Sequence, residues 1–157
     1  MRNILRISTL LLLAIIIVSA CSAKNEKEEL FKFKNSYVGD ASAVVNIVNQ
    51  LRNADYFASL ELNTKEEPYG IILNYDWLDS DENYKKTVIH NATFLFALVQ
   101  NVDWITFNFD HEEYKLTREN LQDWYDKNLS DLENKSEAEK LIGKYLEDEG
   151  KIKQLFN

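Results

Sequence analysis

From Ile71 to Ile142 the chain contains neither glycine nor proline. Nothing in that stretch punctuates a regular element, so a helix entered near Asp81 can run unbroken to about Asn101. Val88, Ala92, Leu95, Phe96 and Val99 recur there at helical spacing, and Phe94, Ala97 and Leu98 fill the flanks. Such a helix is apolar nearly all round in its second half and belongs in the centre of a fold. Phe94 to Val99 taken alone would also suit a buried strand, but the length of the surrounding pattern favours helix.

The remaining elements arrange themselves around it. Asp40 is placed to cap a first helix carrying Ala41, Val44, Val45, Val48 and Leu51 on one face and ending near Asn53. Tyr56 to Thr64 alternates Tyr56, Ala58, Leu60 and Leu62 against Phe57, Ser59, Glu61 and Asn63, and Ile71 to Leu78 alternates through Ile71, Leu73, Tyr75 and Trp77. Both read as strands, joined by a reversal holding Pro68 and Gly70. Trp104 to Asp110 gives a third strand with Ile105, Phe107 and Phe109 inward, and Tyr114 to Leu116 a short fourth. Thr117 then caps a helix burying Leu121, Trp124 and Tyr125. Ser136 with Glu139 forms a capping box before Leu141, Ile142, Tyr145 and Leu146, and Gly150 is placed to end that segment. The expected fold is α+β: one domain with a mainly antiparallel sheet of three to four strands and helices packed on one face.

The N-terminus reads differently. Arg2 and Arg6 precede an aliphatic run from Ile7 to Ala20. As a helix that run would rise about 21 Å, short of the roughly 30 Å hydrocarbon core of a membrane. It has the length of a signal h-region. It ends in Val18-Ser19-Ala20-Cys21, with the chain's one cysteine at the cleavage point. This resembles a bacterial lipobox, which implies a thioether from the Cys21 thiol to diacylglycerol and a cut before it. The alternative is an uncleaved anchor with Cys21 as a small buried hydrophobe. The predicted organisation is a signal peptide at 1–20, a lipidated Cys21 and solvated tether at 21–36, an α+β domain at 37–129 and a C-terminal helical segment at 130–157.

With Cys21 spent on lipid, no thiol remains for a disulfide or a zinc site, so the domain must stand on its hydrophobic core. Removing Arg2 and Arg6 lowers further a formal charge that is already −8. That balance opposes nucleic acid and anionic headgroups as partners. In the tether, Lys24, Lys27, Lys32 and Lys34 are nearly cancelled by Glu26, Glu28 and Glu29.

No motif for chemistry survives inspection. Asp79-Ser80-Asp81-Glu82-Asn83 opens like a calcium loop, but Tyr84 stands at the sixth position and His90 at the twelfth. It reads as a strand-to-helix turn whose acids favour the helix N-terminus. His111-Glu112 begins a zinc-peptidase motif and lacks its second histidine. Four scattered glycines form no nucleotide loop, so no metal or cofactor is expected. Aromatic side chains make up 12% of the chain; most belong to the core, with Tyr69 and Trp104 the better candidates for exposed binding contacts.

Four segments carry a family resemblance: Tyr37-Val38-Gly39-Asp40, Glu67-Pro68-Tyr69-Gly70, Asn74-Tyr75, and Phe96 to Asp103 running into Ile105-Thr106-Phe107. From about Phe33 to Leu129 the chain resembles the bacterial family called domain of unknown function 4825. The resemblance implies an extracytoplasmic domain of Gram-positive bacteria, found on lipoproteins and on membrane-embedded peptidases that resemble antibiotic-sensing receptors. It carries over no catalytic residue. On the residues themselves, Gly39 and Gly70 are expected in turns where a side chain would clash, with Tyr37 and Tyr69 closing the sheet ends.

The resulting expectation is a non-enzymatic, lipid-anchored binding or sensory module on the outer face of the cytoplasmic membrane, engaging an envelope protein or wall component. Two alternatives stand beside it. One is an envelope hydrolase using some of Asp76, Asp79, Asp110, His111 and Glu112 near the strand ends. The other is an assembly role in which the terminal helix docks on a partner.

Overall fold

The structure, a computed structural model, describes Glu29 to Phe156. The predicted signal peptide, Cys21 and the first part of the tether lie outside the described residues. The elements are α1 (Ala41–Val48), β1 (Phe57–Asn63), β2 (Gly70–Tyr75), α2 (Asp81–Leu98), β3 (Trp104–Asn108), β4 (Glu113–Thr117), α3 (Arg118–Tyr125), α4 (Lys135–Leu146) and α5 (Glu149–Leu155). This is the expected single α+β domain, with a four-stranded sheet and five helices packed on it.

The sheet order is β1-β2-β3-β4, with antiparallel outer pairs and a parallel central pair in which Gly70 faces Trp104 and Asn74 faces Asn108. Parallel neighbours need a long crossover, because the chain must return to the starting end before pairing. The run free of glycine and proline supplies it as α2. Ser80 caps that helix through Asn83 N–H, Asp81 and Glu82 occupy its first turn, and Lys85 reaches Asp81 at 2.7 Å. Ile71, Leu73, Ile105, Phe107, Phe94, Leu95 and Leu98 are fully buried and make the centre of the core.

Several local expectations need correction. α1 ends at Val48, and the chain turns through Asn53 at φ 59° instead of continuing as helix. A bulge between Phe57 and Ser59 inserts an extra residue into β1. It therefore turns Phe57 to the core, edge-on to Tyr75 at 6.0 Å, and leaves Tyr56 and Ala58 exposed. The capping box lies two residues earlier than expected. Asn134 accepts from Glu137 N–H and Glu137 accepts from Glu133 N–H, both at 3.0 Å. Gly150 sits in the first turn of α5 and gives its N–H to Asp148, so it begins a helix where it was expected to end one.

The expected tether is already domain by Leu30. Leu30–Phe33 form a 3₁₀ turn with Leu30 buried, and Phe31 meets the Phe94 ring edge-on at 6.3 Å. Ser36 bridges to Val99 in parallel, and Lys34 donates to Leu132 O at 2.8 Å. The C-terminal helices pack on their own domain. Ala138, Ile142 and Ile152 join the core, Tyr145 donates to Tyr125 O, and Trp124 Nε1 donates to Lys151 O, the last two at 2.9 Å.

Candidate functional site

Three of the four segments that carry the family resemblance meet at one corner, where the loop entering β2 lies against the loop entering β3, while Asn74-Tyr75 lies at the far end of β2. Asp103 Oδ2 accepts from Tyr69 N–H at 2.7 Å, and Tyr69 O accepts from Asp103 N–H at 2.8 Å. Asn101 Oδ1 accepts from Val38 N–H at 2.8 Å, which brings in the segment before α1. The Glu67-Pro68 peptide is cis.

Trp104 and Tyr69 are both half-buried at this corner. The Trp104 indole lies on Gly70, gives its N–H to Pro68 O at 3.0 Å, and has Lys115 Nζ 4.4 Å from its ring centre. Gly70 is thus needed for a close approach inside a strand, where a turn was expected. At Gly39 a Cβ would have nothing within 4 Å of it, so the clash expected there is absent. Tyr37 is exposed.

Arg118 supports the corner from below. Its Nη1 and Nη2 donate to Phe96 O and Val99 O at 2.6 Å, and its Nε donates to Val102 O at 3.0 Å. Phe96 O and Val99 O are carbonyls left over at the end of α2, where no glycine cap follows Leu98, and Val102 O belongs to the loop leading to β3. Burial lowers the affinity of this guanidinium for its proton, and the nearby Asp103 charge opposes that.

Two shallow grooves flank Pro68 and Asp103. One, of about 480 Å³, is lined by Trp104, Lys115, Thr117, Arg118, Glu119, Gln122 and Asp123; the other, of about 380 Å³, by Glu67, Tyr69 and Asn101. The larger mixes both charges around Trp104, and the smaller sets Tyr69 between the acidic Glu67 and Asp103. Lys115, Arg118 and Gln122 were not anticipated, since only the fold brings them beside Pro68.

At the other end of β2 and β3, a polar ladder crosses three strands. Asn74 donates to Ser59 Oγ at 3.0 Å and Asn108 donates to Asn74 Oδ1 at 2.8 Å, leaving Asn108 Oδ1 buried with no protein partner. The acids proposed for hydrolysis lie nearby in sequence, and Asp76, Asp79, Asp110, His111 and Glu112 are all exposed. His111 pairs with Asp110 at 2.9 Å while 80% exposed. Asp79 is held below the usual carboxylate range by the Asn83 amide and the Ser80 N–H. Among the described residues, no three His, Cys, Asp or Glu side chains are grouped to hold a metal ion, and no helix is long and apolar enough to cross a membrane.

No curated protein and no solved structure matches the chain. The family model described as domain of unknown function (DUF4825) matches residues 30–118. The match begins at the buried Leu30 and ends at Arg118, the residue that closes the end of α2, so it spans the whole sheet and more than half of the chain. The chain belongs to the DUF4825 family.

Proposed function

We propose that the protein is a lipid-anchored extracytoplasmic binding module of a bacterium, presented on the outer face of the cytoplasmic membrane and engaging an envelope protein or wall component. The observation that carries this reading is Val18-Ser19-Ala20-Cys21, which closes an apolar run too short to span and puts Cys21 only eight residues before Glu29. Extended chain covers about 3.5 Å per residue. A lipid on Cys21 therefore holds the domain within about 30 Å of the bilayer. Two acyl chains give a stable anchor where a single one is marginal.

The contact surface in this reading is the pair of grooves beside Pro68 and Asp103, with Tyr69 and Trp104 as aromatic contacts. A non-enzymatic role is favoured by the exposure of Asp76, Asp79, Asp110, His111 and Glu112, which stand in solvent instead of lining a closed pocket.

Growth with radioactive palmitate, comparing the natural chain with Cys21→Ala, tests the anchor; label on the natural chain alone is expected, and an unlabelled natural chain refutes it. Photo-crosslinking from Glu119 and Gln122 on intact cells tests the surface. A reproducible adduct absent with the crosslinker at exposed Glu61 is expected, and equal or no adducts from all three positions refute the assignment.

A further inference from the structure

His90 stands on α2 with both ring nitrogens against oxygen atoms. Nδ1 lies 2.9 Å from Asn91 Oδ1, and Nε2 lies 3.4 Å from Glu139 Oε1 on α4. The Asn91 amide is fixed in orientation by the backbone of Arg52. Its Oδ1 accepts from Arg52 N–H at 3.1 Å and its Nδ2 donates to Arg52 O at 2.9 Å. A backbone N–H only donates and a carbonyl only accepts, so Asn91 can offer His90 nothing but an acceptor. Nδ1 must carry a hydrogen. A neutral imidazole then has only a lone pair left at Nε2, facing the Glu139 carboxylate; the imidazolium donates to both partners.

We propose that His90 is a protonation-dependent clasp, which ties α4 to the central helix more tightly as the surroundings acidify. The inference stands whether or not the chain is lipidated.

The setting suits the role. The His90 side chain is 13% exposed and its ring lies 5.0 Å from that of Phe94. The charged groups around the pair are Glu139 and Lys135 from α4, Arg52 from the segment after α1, and Lys86 one turn back on α2, which is engaged by Glu82. The Glu139 carboxyl is held below its ordinary value, chiefly by the hydrogen bond with His90, while partial burial opposes this. Glu139 therefore stays charged throughout the range in which imidazoles ordinarily titrate. Its placement also explains why it takes no part in capping α4.

The test is hydrogen exchange of the α4 amides in the full chain in detergent micelles at pH 7.5 and 5.5, corrected for intrinsic exchange. Protection should rise about two- to five-fold at the lower pH, the scale of a partly exposed ion pair. His90→Gln keeps a donor toward Glu139 without titrating, and Glu139→Gln removes the carboxylate. Either variant should abolish the rise. Nitrogen shifts of the two imidazoles add a second reading: His90 should gain its second proton in step with the α4 protection, with exposed His111 as reference. A pH response equal in the natural chain and in Glu139→Gln, or no response in the natural chain, overturns the proposal.

Discussion

The indole of Trp104 occupies the space a side chain on Gly70 would need: a Cβ at Gly70 would come within 2.1 Å of Trp104 Cε2, across the parallel pair of β2 and β3. Gly70→Ala must push the indole off the sheet and break its bond to Pro68 O. The expected loss is about 1–3 kcal/mol. In a Trp104→Ala background the same substitution should cost much less, because the clash is gone. Urea unfolding of the four proteins measures this coupling, and additive losses would contradict it.

Arg118 is the second structural dependence of this corner. Its three donors serve Phe96 O, Val99 O and Val102 O, and a lysine cannot reproduce that fork. Arg118→Lys should lower stability by about 1–3 kcal/mol, and Arg118→Ala by more, since carbonyls at the end of α2 lose their partners. Thermal unfolding with equal losses for lysine and for the distant, exposed Lys65→Ala would argue against it.

Asp81 predicts a pH effect of defined sign. Lys85 and the Tyr114 hydroxyl both bond its carboxylate and hold its pKa below the ordinary value. A depressed folded pKa contributes stability that is present above the unfolded value of about 3.9 and is lost as pH falls through the folded one. The side chain is 58% exposed, so solvent screens the pair. Asp81→Asn should cost only about 0.5 kcal/mol near pH 6. The gap from the natural chain should close below about pH 4. Urea midpoints across that range check it; a gap that widens in acid would reverse the sign.

What the sequence made legible was set by local rules. The apolar spacing of α2, the Ser80 turn and the inward set Ile71, Leu73, Tyr75, Ile105 and Phe107 follow from periodicity and capping, which act over a few residues. The bulge beside Ala58 was hidden because alternation fits either register equally well until a partner strand fixes one. The parallel pairing of β2 with β3 was hidden for a related reason, since strand direction depends on how far α2 carries the chain back. At the candidate site, Tyr69 and Trp104 stood out as aromatics. Arg118 gave no local sign of its work, although the missing glycine after Leu98 is a signal that the end of α2 draws on a distant donor.

The C-terminal helices give the last prediction. Ile142 is 2% exposed and Ile152 4%, and both belong to the same core as the sheet. Tyr125 and Trp124 on α3 each make a hydrogen bond with this segment, to Tyr145 and to Lys151. Deleting residues 135–157 would uncover these side chains together, so it should leave a protein that unfolds easily instead of a folded domain freed from a partner. A milder probe is Ile142→Ala, which removes buried methyl groups and leaves a cavity, at a cost of about 2–4 kcal/mol. The exposed Glu147→Ala on the same segment should change stability by less than about 0.5 kcal/mol. Urea unfolding followed by near-ultraviolet dichroism separates the outcomes. Should Ile142→Ala unfold at the natural midpoint, or the deleted chain keep a full cooperative transition, the packing of α4 on the central helix would be energetically idle.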